Sequence, residues 1–194
     1  MKGKPLLPLL PLLPLLLLSL MGCVKPTAPA HTVSLNIHTI ALLPPQFPNQ
    51  KPDTACHPDI GRNVRYWLGQ TLKNKGYGIL LVDAGENAQL SAAAGNDLKR
   101  LAALAPTHAD AVLVVRVVEY LDAGLCDREN PSLAMRATAR LIRRTPPQVL
   151  WSGTGSASDV ATGGPLRVLD PAEVVTSDLA RQLLSSLPKA AYPR

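Results

Sequence analysis

The stretch from Ala109 to Leu121, "ADAVLVVRVVEYL", limits the fold more than any other part of the chain. Its run of valines is too continuous for a strand with a wet face at its start, so it belongs in the interior of a sheet. From Leu133 the pattern changes to strict alternation. Leu133, Met135, Ala137, Ala139 and Leu141 fall on one side, and Ala134, Arg136, Thr138 and Arg140 on the other. That is a strand with one buried and one solvated face. Arg143 to Pro147 makes a turn, and "QVLWSGTGSAS", Gln148 to Ser158, returns as the hairpin partner. One sheet holding both patterns is parallel in its middle and antiparallel at an edge.

The remaining elements fit that sheet. "NIHTIALL", Asn36 to Leu43, reads as a short strand stopped by Pro44-Pro45, and "ILLVD", Ile79 to Asp83, as a buried one. Between them Ile60, Val64, Trp67, Leu68 and Leu72 recur at helical spacing, with Asp59 or Thr54 as cap and Gly76 at the C-terminal end. Leu90 and then Leu98, Leu101 and Leu104 mark a second helical stretch, recapped at Asn96 or Asp97 and stopped by Pro106. Asp170-Pro171 opens a last helix with Val174, Val175, Leu179, Leu183, Leu184 and Leu187 on its apolar side. Right-handed crossovers then favour a single three-layer α/β domain. Its mixed five-stranded sheet is expected in the order 2-1-3-4-5, a parallel core plus an antiparallel edge hairpin, with helices on both faces.

Ahead of this domain stand Lys2 and Lys4 without an acid, then "PLLPLLPLLPLLLLSL", Pro5 to Leu20. Basic, apolar and small residues in that order describe a secretory leader. The apolar run is shorter than the ~20 residues a membrane-spanning helix needs, and prolines interrupt it. Leu20-Met21-Gly22-Cys23 resembles the bacterial lipobox. The resemblance implies cleavage before Cys23 and acylation of that cysteine, which makes it a membrane tether. Val24 and Lys25 follow it, without the aspartate that would imply retention in the inner membrane, so an outer-membrane anchor with the domain facing the periplasm is expected. The expected organisation is leader 1–22, lipidated cysteine and proline-rich tether 23–34, domain 35–188 and tail 189–194.

With two of the 20 basic residues in the leader, the remainder carries 18 basic and 14 acidic residues, a mild excess without a dense block. Aromatics at 4% supply no stacking platform, so nucleic acid is not an expected partner. With Cys23 committed to lipid, Cys56 and Cys126 remain, in a compartment that tolerates disulfides. The loops after the first and third strands leave the same edge of a parallel sheet. A Cys56–Cys126 bridge is therefore feasible, closing about 70 residues and stabilising by roughly 2–4 kcal/mol; free thiols are the alternative.

"TIALLPP", "GYGILLVD", "HADAVLVVRVVEY", the alternating strand leading to "VLWSG" and the closing "LARQLLSSLP" together resemble a group of small bacterial envelope lipoproteins. The group includes the neisserial lipoproteins, LpoB-type activators of penicillin-binding proteins, CsgG-like secretion lipoproteins and the TolB N-terminal domain. The resemblance implies architecture and envelope location. The turn "RRTPPQVLW" departs from the group's usual Gly-Lys or Gly-Glu, and is stiffer and more basic.

No catalytic signature stands out. Cys56-His57 lacks an orienting third group, and Cys56, His57 and Cys126 lack the paired spacing of zinc ligands. "SGTGSAS" lacks the Lys-Ser/Thr of a phosphate loop and opens no helix, and reads as an edge strand of small residues. No metal or cofactor is expected. Asp83, Asp110, Asp122 and Asp127 are scattered and read as caps and loop solvation, while Trp67 and Trp151 read as core or interface anchors. Arg136, Arg140, Arg143 and Arg144, with Thr138 between, form the one concentration of charge, either a solvated face or an interface for an acidic partner or lipid headgroups. The expected function is non-catalytic: an accessory component of an envelope assembly, transport or secretion system, meeting another envelope protein or forming a homo-oligomer. Activation of a peptidoglycan synthase and a ring-forming secretion pore are the alternatives. An enzyme is disfavoured.

Overall fold

A computed structural model of the chain describes residues 35–48, 59–82, 95–122, 132–160 and 170–191, all within the compact unit Val33–Arg194. The leader, Cys23, Thr54, Cys56, His57, Asp83, Leu90, Cys126 and Asp127 lie outside the described residues. The elements are β1 (Thr39–Leu42), α1 (Ile60–Asn74), β2 (Gly78–Leu81), α2 (Leu98–Ala103), β3 (Ala111–Leu121), β4 (Ser132–Arg143), β5 (Gln148–Val160) and α3 (Pro171–Leu183). Five strands form one sheet in the order β2-β1-β3-β4-β5. β1 runs parallel to both β2 and β3, and β3, β4 and β5 are antiparallel neighbours. This is the expected mixed sheet.

The two faces of the sheet are covered unequally. On one face Ile40, Leu42, Leu113, Val115, Val117 and the odd-numbered β4 residues from Leu133 to Leu141 pack against α1 and α3. Helix α1 supplies Ile60, Val64, Leu68 and Leu72, all at 0% exposure, and each such side chain contributes about 1.5–3 kcal/mol by burial. On the other face a smaller cluster joins Ala41, Leu43, Val112, Val114 and Ile142 to Leu101 and Ala102 of α2. This cover reaches only one end of the long strands.

Local chemistry sets the helix ends. The Asp170 carboxylate accepts from the Ala172 N–H at 2.9 Å, with Pro171 in the first turn of α3. Asp97 accepts from Lys99 and Arg100 N–H and so starts α2. Helix α1 ends as Gly76 takes φ +91°, with the Gly76 N–H on Lys73 O and the Tyr77 N–H on Leu72 O. That turn also receives the end of the domain. Lys75 Nζ donates to Leu187 O at 2.7 Å, the Tyr77 hydroxyl donates to Pro188 O at 2.9 Å, and the Ala190 N–H donates to Lys75 O at 2.8 Å. Thr176, the one buried polar residue of the described core, donates to Ala172 O.

Candidate functional site

Strand β4 builds the site by its period of two. Met135, Ala137 and Ala139 go to the core, so Arg136, Thr138 and Arg140 line the opposite face. Cross-strand register adds their neighbours on either side. Arg136 lies between Glu119 of β3 and Ser156 of β5, Thr138 between Arg116 and Thr154, and Arg140 between Val114 and Ser152. Ser158 extends the β5 row, and its four hydroxyl residues are all exposed. The result is a polar lattice on three strands, which adjoins the α2 cluster at Val114 and extends away from it.

Its cations are oriented by short contacts. Arg136 pairs with Glu119 at 3.0 Å, both side chains substantially exposed, which contributes little to stability, about 0.2–1 kcal/mol. Arg140 donates to Asn96 Oδ1 at 2.9 Å. Arg116 donates to Gln46 Oε1 at 3.1 Å and to Gly95 O at 3.3 Å. Three guanidinium groups against one carboxylate give the face a positive balance. A groove of about 460 Å³ borders it, lined by Arg136, Glu119, Ser156 and Ser158 together with Asp178 and Gln182 of α3.

The expected arginine quartet is divided. Arg143 stands opposite Ala111, a residue of the core under α1 and α3, so it lies on the other side of the sheet from Arg136 and Arg140. Its odd number in a period-two strand is the reason. Arg144 sits in the turn, where its N–H donates to Asp110 O and Nη1 to Thr107 O. In their place the face gains Arg116 and Glu119. Arg116 was legible as the one polar residue in the valine run. Glu119 was not, because an irregularity between Val117 and Glu119 shifts the alternation, leaving Val118 43% exposed and turning Glu119 towards Arg136.

Other candidates take structural roles. Within "SGTGSAS" a β-carbon on Gly153 would stand 2.6 Å from Leu183 O, and one on Gly155 2.6 Å from Leu183 N. These glycines admit the backbone of α3 against β5. Asp110 Oδ2 accepts from the His38 and Thr39 N–H groups, both at 2.8 Å. Trp67 and Trp151 are partly buried against the core. Among the described residues no three His, Cys, Asp or Glu side chains converge as metal ligands. No described helix is long and apolar enough to cross a membrane.

No family model matches the chain, and no curated protein matches its sequence. Among solved structures, the PelC dodecamer of Paraburkholderia phytofirmans is similar with a TM-score of 0.52 at 19% identity, over 80% of this chain and 91% of that one. CT253 of Chlamydia trachomatis gives a TM-score of 0.53 at 17% identity, over 77% and 94%. Lipoprotein GNA1162 of Neisseria meningitidis gives 0.43 at 18% identity, over 66% and 88%. At these identities the first two likenesses are likenesses of fold.

Proposed function

We propose that this chain is a lipid-anchored protein of the bacterial outer membrane that performs no chemistry of its own and presents the polar face of β3, β4 and β5 to another envelope component. The observation that carries the reading is the lattice itself. Arg136, Thr138 and Arg140 stand among Arg116 and four exposed hydroxyl residues, while the opposite face of the same strands is buried under two helices. A positive, hydroxylated surface suits an acidic protein partner. The lipobox-like Leu20-Met21-Gly22-Cys23 supports the anchor. A spacer of ~10 residues reaches at most about 35 Å, which favours a partner close to the membrane. The parallel pairing of β1 with β3 supports a Cys56–Cys126 disulfide, since both strands deliver the chain to one edge of the sheet.

In-cell crosslinking of the full-length protein, followed by affinity purification and mass spectrometry, tests this. One dominant envelope protein is expected, lost when Arg136 and Arg140 are both changed to Glu. Undiminished recovery in that variant would remove the arginine face from the account. The dodecamer formed by the Paraburkholderia protein favours a second reading, self-assembly into a ring. That reading requires a large detergent-stable oligomer on sizing.

A further inference from the structure

Strand β5 ends the sheet and is 13 residues long, whereas β2 at the other edge has four. From Gln148 to Ser158 the β5 backbone pairs, among the described residues, with β4 alone, so its outer row of N–H and C=O groups is a template for another strand. Folded proteins usually blunt such an edge with lysine, proline or brevity. From Gln148 to Ser158 there is no charge and no proline, and from Trp151 onward the ladder to β4 is regular.

The sequence of this edge is its own complement. Ser152-Gly153-Thr154-Gly155-Ser156 reads the same in both directions. We infer that two copies of the chain pair antiparallel through the outer edge of β5, about a twofold axis at Thr154, joining two five-stranded sheets into one. The axis sets Thr154 against the second copy's Thr154, each Ser152 against a Ser156 and each Gly153 against a Gly155. Further out, Trp151 meets Ala157, Leu150 meets Ser158 and Val149 meets Asp159, so no like charges face each other across these pairs. Directly opposed Thr and Ser pairs are favourable across antiparallel strands. Such an isologous contact closes with two copies, and the exposed edge is consumed rather than propagated. An unrelated strand would lack this symmetric match.

The test uses the full-length chain. In membranes under mild oxidation, Thr154→Cys places two thiols on backbones about 4.5–5.5 Å apart, within disulfide range. A reductant-sensitive dimer is expected at roughly tenfold the level given by wild type, which reports the native cysteines, and by Thr138→Cys, whose strand is one step inward. In detergent, light scattering is expected to give a dimer for wild type and a monomer for Thr154→Lys at unchanged circular dichroism. A wild-type monomer, a larger ring, or Thr154→Cys no better crosslinked than Thr138→Cys would overturn the inference. The arginine-face reading is separate: changing Arg136 and Arg140 to Glu is expected to abolish partner capture and leave the dimer intact.

Discussion

A β-carbon at Gly155 would stand 2.6 Å from the backbone nitrogen of Leu183, whereas one at Gly69, inside α1, has nothing within 4 Å. Gly155→Ala is therefore expected to destabilise by about 1–3 kcal/mol through overpacking. Gly69→Ala is expected to stabilise by about 0.5–1 kcal/mol, as alanine in a helix interior loses less entropy. Urea midpoints moving in the same direction for both variants would contradict the close approach of α3 to β5. Tyr120 makes a second prediction. Burial, with the charge of Asp122 adding to it, pushes the phenol up to about 12. The unfolded chain releases that proton near 10.0, so Tyr120's contribution is full below that pH and is lost as pH rises towards 12. Tyr120→Phe is expected to flatten the alkaline decline of stability. Tyr77, raised in the same direction by burial, leaves a residual slope. Parallel curves for wild type and variant between pH 10 and 12 would assign the decline elsewhere.

The caps of α1 and α3 differ although both are aspartates. Asp170 accepts a hydrogen bond from its helix, while Asp59 makes no side-chain cap bond and pairs instead with exposed Arg62 at 3.1 Å. Asp170→Ala is expected to cost about 1 kcal/mol and Asp59→Ala distinctly less, by denaturant unfolding. Equal losses would mean that the cap geometry is not what stabilises α3. At this scale the chain is highly legible: the valine run, the alternation from Leu133 and the proline after Asp170 led to the correct elements and strand order. Boundaries were less so. The first strand begins at Thr39 rather than Asn36, and at that point the Asp110 side chain, distant in sequence, accepts from the N–H groups of His38 and Thr39. The site was half legible for a related reason. Period two gives Arg136, Thr138 and Arg140, but a single extra residue in β3 decides that Glu119 joins them, and local pattern does not announce it.

For the whole molecule, the expected consequence of the anchor is a change of fraction. Cys23→Ser is expected to remove acylation and leader cleavage, abolishing incorporation of labelled palmitate into the chain; label retained in that variant would refute the tether. The domain behind it has another whole-chain property, in the turn after α1. Lys75 and Tyr77 hold the backbone at Leu187 and Pro188, more than a hundred residues later, and α3 completes the roof over the large apolar face. Synthesis delivers that roof last. Until residues 171–190 have emerged, every earlier element is present and the main core still lacks one wall. Closure of that core is therefore expected to wait for the chain's own final helix.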